Sequence, residues 1–126
     1  MSGDEPYSAR VAALFRAAPG AGRPDGPGWV SGEGREPLSA THVRWHLRCL
    51  HGRVVEARYE VRGCPHTVAA AAWVAAGLAG RPTTDLGVDL RQVAAELSAP
   101  AAKLGRLFVI QDAIRAAALQ LCAATA

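Results

Sequence analysis

The residues of this chain best suited to chemistry stand together in the stretch Val61-Arg62-Gly63-Cys64-Pro65-His66-Thr67. An alternating apolar and polar segment precedes it and an alanine-rich run, Val68 to Gly80, follows, so Cys64 stands where a strand passes into a helix. There the unpaired N–H groups of the first helical turn and the positive end of the helix dipole favour a thiolate, lowering the thiol pKa below its free value of about 8.5. Pro65 suits that turn because it has no N–H to leave unpaired. Two readings stand: a working thiol, or a small buried residue at a turn. His66 is the one added ligand or base within reach of Cys64 along the chain, against the plainer reading of a solvent-facing or capping histidine.

The other titratable candidates carry less. His42 and His46 share a strand face, but four residues apart they are separated by about 13 Å and cannot grip one metal together. A solvated polar sheet face is the better reading, and His51 falls in an exposed hairpin turn. Cys49 belongs to the core face of its strand beside Trp45 and Leu47, and Cys122 falls in an alanine-rich final turn; both read as structural or incidental.

Around these residues the elements follow in order. Tyr7, Val11, Leu14 and Phe15 mark a short amphipathic helix opening at Pro6 and ending near Ala18-Pro19-Gly20, and residues 19–28 form a flexible connection rich in Gly and Pro. Trp29-Val30 begins a first strand that Gly32, Gly34 and Pro37 interrupt. Val43, Trp45, Leu47 and Cys49 then alternate with His42, Arg44, His46 and Arg48, and Val55, Ala57, Tyr59 and Val61 alternate with Glu56, Arg58, Glu60 and Arg62. The link Leu50-His51-Gly52-Arg53 joins the two as a hairpin. A small-residue helix runs to Gly80, Asp89 caps another from Leu90 to Leu97, and the last spans about Lys103 to Ala123, with an apolar stripe of Leu107, Ile110, Ile114 and Leu121. The fold class is α+β, a three-stranded antiparallel sheet with helices packed on one face.

The 126 residues form one domain, and with 50% apolar but only 6% aromatic residues its core must be built of Ala, Val and Leu. Net charge is +3, from 14 basic residues scattered among 11 acidic ones, so neither nucleic acid nor membrane is an expected partner. Asp4 and Glu5 stand where a signal peptide needs positive charge, no apolar run reaches the roughly 18 residues of a spanning helix, and an odd count of three cysteines argues against a disulfide framework. The expectation is a cytoplasmic protein.

Tyr7-Ser8 with Val11 and Phe15, Gly52-Arg53 before Glu56-Ala57-Arg58-Tyr59, Gly63-Cys64 before a small-residue helix ending at Gly80, Ala99-Pro100-Ala101-Ala102-Lys103, and Asp112-Ala113-Ile114-Arg115-Ala116-Ala117 follow one another in a shared order and spacing. In them the chain, from Tyr7 to Leu121, resembles the NifU/IscU family of iron–sulfur cluster assembly scaffolds: its first helix, sheet hairpin, central motif, chaperone-recognition loop and last helix. The resemblance implies a scaffold rather than an enzyme. Family scaffolds hold a cluster or zinc with three cysteines, an aspartate two residues after the first cysteine and a histidine just before the last. By the same resemblance Ser39 stands at the first cysteine, Thr41 at the aspartate, Gly105 at the histidine and Arg106 at the third cysteine, so that only Cys64 remains.

The resemblance therefore implies an iron–sulfur cluster, rather than zinc, bound weakly through Cys64 with His66 beside it, or shared between the two chains of a homodimer. Neutral hydroxyls are poor ligands and arginine is none, whereas a cation near Cys64 favours its thiolate or a bound sulfur species. Two alternatives follow: a persulfide acceptor loaded by a cysteine desulfurase, since the SufE sulfur acceptors look like the same fold and use one cysteine, or a partner-binding protein without chemistry. The loop at Pro100 to Lys103 keeps those two residues but has alanines elsewhere, which weakens recognition by an Hsp70-type chaperone.

Overall fold

A computed structural model describes residues 7–125, with side chains through residue 121. The first helix, α1 (Ala9–Ala17), starts where the Ser8 hydroxyl accepts the Val11 N–H. The same hydroxyl donates to the Leu97 carbonyl, tying the start of α1 to the far end of α3 (Leu90–Glu96). Pro6, where the sequence predicts the helix to open, lies outside the described residues.

Strands β1 (Trp29–Glu36), β2 (Thr41–Leu50) and β3 (Arg53–Arg62) form an antiparallel sheet in the order β1-β2-β3. Helices α2 (Pro65–Leu78) and α4 (Leu104–Thr125), the latter entered through a 3-10 turn at Ala101–Lys103, cover one face, so the α+β class and the single helical layer are as expected. The segment after α1 does more than connect. The Gly22 N–H donates to the Tyr59 carbonyl and the Tyr59 N–H to the Gly20 carbonyl, so the chain runs briefly along the outer edge of β3. It then crosses the polar face, where Arg23 pairs with Glu60, to reach β1 at the opposite edge.

Val43, Trp45 and Leu47 on β2 are fully buried under the helices. Trp45 donates its indole N–H to the Ile110 carbonyl of α4 at 3.2 Å, and its ring lies 5.5 Å from that of Tyr59. The Tyr59 hydroxyl donates to the Pro19 carbonyl, and burial pushes its pKa up to about 12. No helix among the described residues is long and apolar enough to cross a membrane.

Three expectations need correction. Gly32 and Gly34 do not interrupt β1, which is continuous to Glu36. They are where α4 lies directly on the strand: a Cβ on Gly32 would stand 2.1 Å from the Ala117 nitrogen and 2.4 Å from the Ala113 oxygen, and one on Gly34 2.7 Å from the Val109 oxygen. Val55 is not on the core face. A bulge pairs Arg48 with Glu56 but Cys49 with Val54, leaving Val55 as the extra residue; Val54 turns inward and Val55 is 42% exposed. The polar face is not simply solvated either, because His46 is buried between the Ser31 hydroxyl, 2.6 Å from its Nδ1, and Glu60, 2.8 Å from its Nε2. The hairpin holds as read, with His51 and Gly52 at φ 53 and 74, the positive values a two-residue turn of this twist requires.

The contact of α4 with β1 yields a stability prediction. Gly32→Ala must push α4 off the strand, and we expect a loss of at least about 2 kcal/mol. Gly77→Ala, on the exposed side of α2 with open space around it, should instead gain up to about 1 kcal/mol. Urea unfolding of the two variants checks this, and equal midpoints would contradict the close approach.

Candidate functional site

Three chain segments meet at the end of the sheet where β3 passes into α2: the turn between β1 and β2, the junction at Gly63-Cys64, and the entry to α4. Cys64 is the N-cap of α2, with extended backbone and Pro65 as the first helical residue. Its sulfur is half-buried and lies 3.5 Å from the Thr67 hydroxyl, one turn on. The short side chains around Gly63 close the junction: a Cβ there would meet Thr67 Cβ at 3.4 Å and Thr41 Cγ2 at 3.5 Å.

Arg106, in the first turn of α4, lies near enough to Cys64 for its side chain to favour the thiolate. Burial pushes the thiol up, but the Thr67 hydroxyl and N–H, the Arg106 side chain and the His66 N–H together outweigh it and hold the pKa below the ordinary value. By contrast, burial alone pushes the Cys49 thiol up. Cys49 is packed at the rim of the core, and the Cys122 side chain lies outside the described residues.

Ser39 and Thr41 form a small polar unit of their own. Their hydroxyls are 2.7 Å apart, and the Ser39 hydroxyl also contacts the Glu36 carboxylate. Glu36 further accepts the N–H groups of Leu38 at 3.1 Å and Ser39 at 2.6 Å. Its pKa is lowered by the Ser39 hydroxyl and N–H first, with Arg106 adding a smaller attraction. Arg106 therefore acts on both the carboxylate of the turn and the thiol of Cys64. Gly105 has no neighbour within 4 Å of where its Cβ would be and contributes nothing to the cluster.

His66 is neither solvent-facing nor a cap. It is 2% exposed, packed edge-on against the Tyr7 ring at 4.8 Å, and its Nδ1 finds no partner among the described residues. Burial lowers its pKa, and the positive charges of Lys103 and Arg106 lower it further, so the ring is neutral near pH 7. His42 and His46 stand on the outer face away from this cluster, and His51 is exposed in its turn. Sequence reasoning did not single out Glu36 or Thr67. Each had a local signal: a carboxylate three residues before a hydroxyl in a Pro-containing turn, and a hydroxyl at the third position after an N-cap.

The donor set does not fit an iron–sulfur cluster or a zinc ion held by one chain. Among the described residues no group of three or more His, Cys, Asp and Glu lies where it could hold a metal ion. The Cys64 sulfur has a cationic side chain, Arg106, in its surroundings, and the Ser39 and Thr41 hydroxyls are engaged with each other and, through Ser39, with Glu36. The arrangement does fit an activated, anionic thiol. With Cys49 and Cys122 replaced by Ser, the alkylation rate of Cys64 should rise with pH through a midpoint below about 8.5. Arg106→Ala should move that midpoint upward, because removing a cation disfavours the thiolate; an unmoved profile would show that Arg106 does not act on the sulfur.

No protein-family model matches the chain, and no curated protein sequence matches it. Solved structures do. A protein of thermophilic Fervidobacterium islandicum AW-1, described as a proposed iron–sulfur cluster assembly scaffold for the SUF system, superposes with a TM-score of 0.73 at 11% identity, covering 89% of this chain and 96% of its own. The N-terminal part of a nitrogen-fixing NifU-like protein from Brucella abortus superposes with a TM-score of 0.67 at 16% identity, covering 90% and 92%. At these identities the likeness concerns the fold: the chain has the NifU/IscU-like fold along nearly its whole length.

Proposed function

We propose that the protein serves iron–sulfur cluster assembly, the role described for the Fervidobacterium protein whose fold it shares, and that its working part is Cys64 acting as an acceptor of sulfane sulfur. The observation that carries this reading is Cys64 at the N-cap of α2, its sulfur 3.5 Å from the Thr67 hydroxyl, with the Arg106 side chain near enough to favour its thiolate. A cation at that point opposes a metal and stabilises an anion, whether the thiolate before transfer or the persulfide after it.

The reaction needs nothing more from the chain. The Cys64 thiolate attacks the outer sulfur of a donor persulfide, such as that of a cysteine desulfurase; a new S–S bond forms at Cys64, the donor's S–S bond breaks, and the donor sulfur leaves as a thiolate. Oxidation levels exchange between the two proteins, so no further oxidant enters. Thr67 and the helix N–H groups support the negative sulfur, and the buried His66 adds no charge of its own beside the first turn. The protein then acts as a carrier loaded and unloaded one sulfur at a time, not as an enzyme.

Incubation with a cysteine desulfurase and cysteine should add the mass of one sulfur atom to the intact chain, removable by dithiothreitol and absent in Cys64→Ser. Arg106→Ala should slow loading by about tenfold through its effect on the thiolate. Anaerobic reconstitution with iron and sulfide provides the contrary outcome: stable bound iron in the wild type, lost in Cys64→Ser at one cluster per two chains, would replace this reading with a cluster shared in a homodimer.

A further inference from the structure

The outer face of the sheet carries its charges in rows set by the strand register. Glu33, Arg44 and Glu60 face one another across the three strands, an alternation of opposite signs. In the next row towards the turn between β1 and β2 the residues are Arg35, His42 and Arg62. Side chains that are positive or able to become so stand directly opposite one another there, a pairing that costs stability unless something neutralises it. Glu33 is the carboxylate within reach of that row, 3.7 Å from Arg35 and 3.4 Å from His42, and it is already engaged by Arg44. Arg62 is exposed and has no carboxylate partner among the described residues.

Open space lies over this row. A cleft of about 600 Å³ is bounded by Arg35, His42, Arg62, Thr41 and the turn at Pro37, with Glu36 on one wall. A second cavity of about 300 Å³ shares His42 and Arg62 and continues over Arg44 to Arg23. We propose that this cleft docks an acidic segment of a partner protein, two of whose carboxylates engage Arg35 and Arg62 on either side of His42.

The spacing selects the ligand. Across two strand intervals Arg35 and Arg62 are anchored about 10 Å apart, and the alternate side chains of an extended peptide, about 7 Å apart, bring two carboxylates within reach of both guanidinium groups. A run of nucleic-acid phosphates fits less well, because neither lining offers a Phe, Tyr or Trp side chain as a platform for successive bases. The cleft is on the outer side of the sheet end and Cys64 on the helical side, with the Thr41 side chain turned in towards Gly63 between them. Docking therefore does not depend on what Cys64 carries.

The test uses the full chain and a fluorescein-labelled peptide of alternating glycine and glutamate, followed by anisotropy at low salt. Saturable binding is expected, weakened about tenfold by R35A or R62A and unchanged by R91A on α3 or by Cys64→Ser. Circular dichroism confirms that the variants, all at exposed or half-buried positions, remain folded. The proposal is overturned if the wild type shows no saturable binding, if a glutamine peptide binds equally well, or if R35A and R62A both bind as the wild type does. A DNA oligonucleotide of equal charge that binds more tightly than the peptide, with the same loss in R62A, would overturn it in favour of nucleic acid.

Discussion

The structure depends on how closely α4 lies against β1. Helix and strand can approach until backbone meets backbone only because Gly32 and Gly34 present no side chain, and a methyl group at either would overlap α4 atoms. That approach sets the angle and depth of the whole helix. It lets the Trp45 indole reach the Ile110 carbonyl, brings Ile110, Ala113, Ile114 and Ala117 onto the sheet, and carries the first turn of α4 to the end of β3, where Arg106 acts on the Cys64 thiol. A chain poor in aromatic residues builds its core this way because small side chains fill space only when the backbones they belong to are close.

At the sheet end, charge decides what the cluster can hold. A guanidinium near a sulfur stabilises whichever state of that sulfur is negative, and in a half-buried site its effect is less screened than at the surface. Glu36 also feels Arg106, but as the last of the contributions that hold its pKa down, behind the Ser39 hydroxyl and N–H and the Leu38 N–H. The turn thus ties off its own polar atoms. The same tying off removes Ser39 and Thr41 as donors to anything else.

How much of this can be read from the sequence depends on the range of the interaction. The hairpin from Thr41 to Arg62 and the cap positions of α2 and α3 are local, and alternation, Gly52, Pro65 and Asp89 announce them. The bulge at Val55 is not announced, because an extra residue in a run of Val and Ala changes no pattern until the partner strand is placed beside it. Gly32 and Gly34 look like breaks for the same reason: a glycine that admits a helix and a glycine that ends a strand are identical in one dimension. His66 is buried by Tyr7, 59 positions away along the chain, and no periodicity carries that contact. The influence of Arg106 on Cys64 is legible only through resemblance to a family in which those positions converge.

The two faces of the sheet follow opposite rules, and both rules end at the turn between β1 and β2. On the helical face small and apolar residues pack closely, and at its end the Cys64 thiol has its pKa lowered by the Thr67 hydroxyl and N–H, the Arg106 side chain and the His66 N–H against the opposing effect of burial. On the outer face the charges pair across and between the rows: Arg48 with Glu56 at 3.4 Å, Arg58 with Glu56 at 2.9 Å and His46 with Glu60 at 2.8 Å. In the row nearest the turn Arg35, His42 and Arg62 face one another, and Glu33 from the row before is the carboxylate in reach of Arg35 and His42. Glu36 does not stand in that row: by register it lies opposite Thr41 and it holds the turn around Ser39, so the row keeps no carboxylate of its own.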